Sequence, residues 1–139
     1  MYEYVIFIQN KFKIFNLTLV NGSESEAPIY KTTINNKEQE LFVTSINLDT
    51  ERSIKIPKQD LGEVKDNLWV VLVLIIENEP RGLYVFPSKI LSKPDNYIFT
   101  DNEMAFKPLS NYEIKIFRSA FEELSQFSIE NMIKSIEEH

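Results

Sequence analysis

Residues 68–76 read Leu-Trp-Val-Val-Leu-Val-Leu-Ile-Ile, nine apolar side chains without a polar interruption. The run is short for a helix and rich in β-branched residues, which favours a strand that is covered on both faces. Because side chains alternate along a strand, the odd-numbered residues from Trp69 to Ile75 are expected on one face and the even-numbered residues up to Ile76 on the other. The sequence therefore predicts a central, buried strand.

Shorter strand patterns lie on both sides of this run. They are rich in aromatic and β-branched residues, and turn-forming residues separate several of them. The predicted strands are residues 2–9, 12–19, 28–34, 41–46, 52–56 and 83–86. Residues 58–64 suit one or two helical turns, and residues 93–108 have the composition of a loop.

The C-terminal part has helical spacing. Ser110 and Glu113 are spaced as in a capping box, and a second short helix is predicted to begin near Ser128. The apolar stripes of the two helices are Ile114, Phe117, Phe121 and Leu124, then Ile129, Met132, Ile133 and Ile136. We therefore expect residues 1–139 to form a single globular domain of the α/β (α+β) class. It would contain a mixed or mostly antiparallel sheet of five to seven strands, with C-terminal helices packed on one face.

The composition limits the compartment and the partners. The 139 residues include no cysteine, which excludes disulfides, thiolate metal sites and thiol nucleophiles. The first residues lack the basic region and long apolar core of a signal peptide, and the longest apolar run is far shorter than the roughly 20 residues of a membrane span. We expect a cytoplasmic protein without membrane contact. The net charge of -6 predicts no nucleic-acid binding, since such binding depends on phosphate neutralisation by Lys and Arg.

The sequence contains no intact catalytic motif. The only histidine is the last residue, and the three glycines do not form a phosphate-binding loop or a nucleophile elbow. The acidic pairs fall mostly in predicted loops or on outer helix faces, where solvated carboxylates are the ordinary state. We therefore expect no catalytic residues, no metal site and no cofactor.

Two stretches carry a family resemblance. Residues 66–74 are followed by Pro80 and then by residues 83–91, which include Tyr84-Val85-Phe86-Pro87-Ser88-Lys89, and residues 28–33 lie upstream. Together, over about residues 12–34 and 66–91, they resemble PD-(D/E)XK nuclease-like bacterial proteins. In that family an acid on one strand and an acid or Gln two residues before a Lys on the next hold a metal ion that activates water.

The match to the family's site is incomplete. The resemblance places Lys31 at the catalytic lysine, but Ile29 stands two residues before it, and Asn16 stands where an Asp is expected on the preceding strand. If the fold is shared, the metal site is dismantled, and Lys31 would be catalytic only if the protein were a nuclease. Taken alone, Lys31 is more typical of a solvated or edge-strand lysine than of a catalytic one.

The same resemblance marks Tyr84, Ser88 and Lys89 as candidate binding residues, although Ser88 also suits the cap of a helical turn at residues 89–92. The sequence favours a non-catalytic interaction protein of the immunity, inhibitor or accessory-subunit type, with a protein partner. The alternatives are a small-ligand-binding domain and a magnesium-dependent nuclease.

Overall fold

The structure, a computed structural model, describes residues 4–21, 29–92, 98–117 and 120–138. Within these ranges the chain forms five α-helices and eight strands. The helices are α1 (Val5–Lys13), α2 (Lys58–Leu61), α3 (Lys89–Ser92), α4 (Ala120–Leu124) and α5 (Ile129–Glu137). The strands are β1 (Val20–Asn21), β2 (Ile29–Ile34), β3 (Lys37–Asn47), β4 (Ser53–Pro57), β5 (Leu68–Ile76), β6 (Glu79–Pro87), β7 (Phe99–Asn102) and β8 (Asn111–Lys115).

The strands form two sheets. The larger sheet has the order β1-β2-β3-β5-β6, and the smaller sheet has the order β4-β8-β7. In the larger sheet β3 and β5 are parallel, while the other neighbours are antiparallel. The smaller sheet is antiparallel throughout. The predicted α+β class with a mixed sheet is confirmed, and the division of the strands into two sheets is additional to the prediction.

β5 separates two hydrophobic cores, as its sequence predicts. Its even-numbered residues from Leu68 to Leu74 pack toward the smaller sheet and α4, with Phe99 and Ile114. Its odd-numbered residues from Trp69 to Ile75 pack against α1 and α5. The prediction for Ile76 is wrong, because this side chain is 38% exposed. β5 ends at Ile76, and the turn to β6 follows immediately.

The N-terminal segment is helical over α1, and β1 begins only at Val20, so the predicted strands at residues 2–9 and 12–19 are wrong for their described part. α1 buries Ile8 and Phe12, four residues apart on one side of the helix, against the core that contains Trp69. Asn16 then adopts a left-handed conformation with φ of 62°, just beyond the helix. Tertiary packing on the sheet outweighs the β propensity of the aromatic and β-branched residues here.

The predicted helix at residues 110–124 is half correct. Residues 111–115 form β8, in which Tyr112 and Ile114 are buried and alternate with more exposed neighbours, and only α4 is helical. Phe117 and Phe121, predicted to face the core, are 36% and 38% exposed. The second predicted helix is confirmed in α5, where Ser128 Oγ accepts a hydrogen bond from Asn131 N at 3.1 Å.

Candidate functional site

Ser88, a predicted binding residue, is fully buried between β6 and the segment before β5. Its hydroxyl donates to Lys65 O at 3.1 Å and accepts from Lys65 N at 3.3 Å. Both hydrogen bonds fasten the start of α3 to the residues that lead into β5. The described partners of the hydroxyl are therefore structural, and the side chain does not reach solvent.

The other two predicted binding residues, Tyr84 and Lys89, lie on different secondary-structure elements. Tyr84 lies on β6 and is half-buried against the hydrophobic core that β5 shares with the smaller sheet. Burial raises the pKa of its hydroxyl. Lys89 opens α3, is exposed, and places its Nζ 2.6 Å from Asp66 Oδ1. Of the two, only Lys89 lines a cavity described below.

The positions of the nuclease resemblance lie partly together. Lys31 and Ile29 lie on β2, as the resemblance requires, whereas Asn16 lies in a turn after α1 and not on a strand. Asn16 and Lys31 nevertheless line one open cavity of about 310 Å³ together with Glu38. Glu38 Oε1 lies 3.4 Å from Lys31 Nζ, so this lysine is already paired with a carboxylate.

The largest described cavity, about 540 Å³, lies at one end of the larger sheet and is called the lysine cleft below. β3 and β5 are parallel, so both begin at this end, and the antiparallel β6 ends there. The C-terminal part of α5 closes one side through Ser135 and Ile136. The remaining lining residues are Lys37, Glu38, Gln39, Lys65, Asp66, Asn67, Trp69, Pro87 and Lys89.

Two buried polar side chains, Gln39 on β3 and Thr32 on β2, lie side by side, and Gln39 lines the lysine cleft. Trp69 Nε1 donates to Gln39 Oε1 at 2.8 Å, and Gln39 is only 4% exposed. Thr32, which lies directly opposite Gln39 on β2, is buried as well, and its hydroxyl has no hydrogen-bond partner in the described part of the chain. Buried polar groups are normally paired, so the hydroxyl of Thr32 is an exception within the core.

Most charges around the lysine cleft are neutralised in pairs. Lys65 Nζ lies 2.6 Å from Glu40 Oε2, an ion pair whose geometry does not form a regular hydrogen bond. Lys89 pairs with Asp66, and Glu38 pairs with Lys31 outside the cleft. Lys37 has no partner among the described residues, so it leaves the cleft with one uncompensated positive charge.

A second unusual surface is the connection between β7 and β8, residues 103–110, called the tip loop below. Met104, Phe106 and Leu109 are 42%, 64% and 60% exposed. Residues 107–109 form one turn of 3₁₀ helix. Phe106 precedes this turn with an extended backbone, and Leu109 is its last residue, so the two exposed side chains lie at the two ends of the turn.

The tip loop is held by its own hydrogen bonds and by α2. The buried Ser110 accepts at its Oγ from Met104 N at 3.0 Å, and its carbonyl oxygen accepts from Lys58 N at 3.0 Å. Ser110 thus closes the loop and ties it to the first residue of α2. The pairing of Ser110 with Glu113 as a capping box is wrong, because both residues serve the β7–β8 connection instead.

Four charged side chains complete this anchorage, namely Lys58, Asp101, Glu103 and Lys107. Lys58 Nζ contacts Asp101, Glu103 and the ring of Tyr112, with 4.8 Å from the ammonium to the ring centroid. The hydrogen bonds to Asp101 and Glu103 raise the pKa of Lys58. Hydrogen bonds from Lys107 and Lys58 lower the pKa of Glu103 from 4.5 to about 2. Ion pairs of Lys58 with Asp101 and Glu103, and of Lys107 with Glu103, therefore hold the tip loop.

The sequence reasoning assigned residues 93–108 to a loop and therefore missed the tip loop as a surface. The sequence signal for an exposed apolar surface was the presence of Met104, Phe106 and Leu109 in a stretch without a predicted helix or strand that could bury them. Sequence reasoning also missed Lys37 and Gln39 as candidate binding residues, because the lysine cleft joins residues from β3, β5, β6 and α5 that are distant in sequence.

Neither surface offers a metal centre. Among the described residues, no group of three or more His, Asp or Glu side chains lies close enough to hold a metal ion. The longest helices of the described ranges, α1 and α5, have nine residues each, and no helix there is long and apolar enough to cross a membrane.

Comparison of the chain with protein-family models, with curated proteins and with solved structures finds no match. The resemblance to PD-(D/E)XK nuclease-like proteins therefore stays a prediction. What remains to support a function is the geometry of the two surfaces, the lysine cleft at one end of the larger sheet and the tip loop on the smaller sheet.

Proposed function

We propose that the protein is a non-catalytic interaction protein that binds a partner protein through the tip loop. The observation that carries the proposal is the exposure of Met104, Phe106 and Leu109 on a loop that is fixed by hydrogen bonds and ion pairs. Side chains of this kind gain most when an apolar pocket covers them, and aromatic residues dominate binding energy at protein interfaces.

The rigidity of the loop favours binding as well. Ser110 and Glu103 hold the loop in one conformation, so less conformational entropy is lost when a partner covers it. A loop that only needed to connect β7 to β8 could do so in a few residues, whereas this loop has eight.

The charges favour a protein partner over a membrane. An apolar loop inserts most readily into anionic lipid when unpaired lysines surround it. Here Lys58 and Lys107 are both paired with Glu103, and the whole chain carries a net charge of -6. The expected partner presents an apolar pocket that accepts Phe106 and Leu109.

The test compares two variants of the full chain in capture from cells of the native host. The variant Phe106→Ser with Leu109→Ser removes the proposed contact. The matched control Ile14→Ser removes an apolar side chain that is 71% exposed on the opposite part of the fold beside α1. A captured protein that is lost with the double variant and kept with the control, and then binds the purified chain directly, supports the proposal.

Three outcomes would contradict the tip-loop proposal. A captured protein that both variants retain would place the contact elsewhere. Flotation with anionic lipid vesicles that depends on Phe106 and Leu109 would indicate a membrane. A concentration-dependent dimer that the double variant abolishes would make the partner a second copy of this chain.

A small-ligand-binding function is the second candidate, and the lysine cleft is the observation that favours it. Its volume of about 540 Å³ lies within the range of about 300–1,000 Å³ that is typical of small-molecule sites. A nuclease function has less support, because Ile29 supplies no metal ligand and Lys31 is paired with Glu38.

A further inference from the structure

The lysine cleft has one free cation at a fixed position. Lys37 is the first residue of β3 and follows a tight turn in which Asn35 and Asn36 adopt φ of 53° and 63°. Lys65, Lys89 and Glu38 are each held by a partner of opposite charge, whereas Lys37 is without one in the described ranges. The cleft therefore has the charge to attract a single negative group.

A free hydrogen-bond donor lies in the same cavity. Gln39, two residues along β3, gives its Oε1 to Trp69, and its amide nitrogen has no hydrogen-bond partner within the described part of the chain. The side chains of Gln39 and Trp69 line the cleft together with Lys37. A carboxylate has two acceptor oxygens, so it can accept from an ammonium and an amide at once.

One part of the cleft is apolar, whereas the paired charges of Lys65, Asp66 and Lys89 line another part. Trp69, Pro87 and Ile136 line the apolar part, and a smaller cavity of about 180 Å³ adjoins it along α5 and shares Trp69, Pro87 and Ser135. This surface suits a flat or branched hydrocarbon body. A bare phosphate dianion would leave the apolar part empty and would need more than one unpaired cation.

We infer that the lysine cleft binds a small organic monoanion, a carboxylate on an apolar body, with Lys37 and Gln39 as the residues that hold the carboxylate. The body lies against Trp69 and Ile136. This site is independent of the tip loop, and its ligand would bind whether or not a partner protein is present.

Trp69 gives a direct readout, because it is the only tryptophan of the chain and lines the cleft. Its fluorescence and the NMR signal of its indole N–H are followed during titration with 3-phenylpropionate. The comparison probes are 3-phenylpropionamide, acetate and inorganic phosphate. We expect a saturable response to 3-phenylpropionate and binding at least about tenfold weaker for the amide and for acetate, since each lacks one of the two recognised parts.

The variants separate this site from non-specific binding. Lys37→Gln should weaken 3-phenylpropionate binding about tenfold or more, and Lys37→Arg should restore most of it. The matched control Lys55→Gln removes an exposed lysine that lines a different cavity, and it should bind as the unaltered chain does. Unchanged circular dichroism and melting temperature verify that each variant is folded.

Two results would overturn the inference. One is the lack of a saturable Trp69 response to 3-phenylpropionate up to its solubility limit. The other is a response of equal affinity to the amide, or in Lys37→Gln, which would show that the charge of Lys37 plays no part.

Discussion

Glu103 Oε2 lies 2.6 Å from Lys58 Nζ, and this contact joins two residues that are 45 positions apart in the chain. The same carboxylate also contacts Lys107 within the tip loop. Glu103 thus links the loop both to itself and to α2, so an exposed carboxylate supports the conformation of the proposed contact surface together with the hydrogen bonds of Ser110.

This dependence predicts a loosening of the tip loop in acid. The pKa of Glu103 is about 2 in the folded chain, below its ordinary value of 4.5, because Lys107 and Lys58 donate hydrogen bonds to it. A carboxyl whose pKa is lowered by folding stabilises the fold fully above its unfolded pKa and loses this effect as the pH falls through the folded pKa. We therefore expect the order of the loop to decline between about pH 4.5 and pH 2.

NMR of the full chain measures this change through the amide signals of Met104 and Ser110, whose hydrogen bond closes the loop. In Glu103→Gln the same signals should already have their low-pH positions at neutral pH and should not titrate in that range. If the two proteins titrate alike, another carboxyl controls the loop.

Val73→Asp should unfold the domain, because Val73 is fully buried on β5 and an unpaired charge there would cost about 3–5 kcal/mol. Ile76→Asp on the same strand is the matched control, since Ile76 is 38% exposed, and it should cost about 1 kcal/mol or less. Urea unfolding followed by circular dichroism compares the two. Equal losses of stability would mean that Ile76 is as deeply buried in solution as Val73.

Ser88→Ala tests whether this buried hydroxyl is structural. The substitution removes both hydrogen bonds to the backbone of Lys65, and we expect a loss of about 1 kcal/mol in the free energy of unfolding. Ser92→Ala removes a hydroxyl whose bond to Lys89 O is exposed, so its effect should stay within about 0.5 kcal/mol. Binding of 3-phenylpropionate should be unchanged in Ser88→Ala, whose hydroxyl does not line the cleft.

We expect no cleavage of DNA or RNA with magnesium or manganese. Ile29 and Asn16 stand where the nuclease resemblance would place the metal ligands, so a source of activated water is missing at those positions. The assay incubates purified protein with single- and double-stranded substrates, with each metal and with a chelator. Cleavage that needs a metal, survives repurification and disappears in Lys31→Ala would reverse the proposed function.

β5 and α5 were predicted correctly because the signals that identify them are local in the sequence. Nine consecutive apolar residues leave no exposed face, so β5 could be recognised without its neighbours. α5 has a cap at Ser128 and a stripe that repeats every three or four residues, and both are local properties. These elements needed no knowledge of the rest of the fold.

The strand β8 was not predicted, because the apolar residues of this segment fit both the two-residue repeat of a strand and the repeat of a helix. Tyr112, Ile114 and Ile116 alternate as in a strand, while Ile114 and Phe117 continue into a stripe at helical spacing. Pairing decides between them, since Ile54 on β4 and Phe99 on β7 both lie opposite Ile114. No local signal carries that information, and the same holds for the residues of the lysine cleft.

The pairing of β4 with β8 also affects the order in which the chain assembles. The hairpins β2–β3 and β5–β6 are closed by short turns, so each needs only a short loop to form. The smaller sheet instead pairs Ser53 with Lys115, and such distant contacts close late, because more chain entropy is lost before they are made. We therefore expect a nascent chain to complete the larger sheet first and to acquire its tip loop only after β8 has been synthesised.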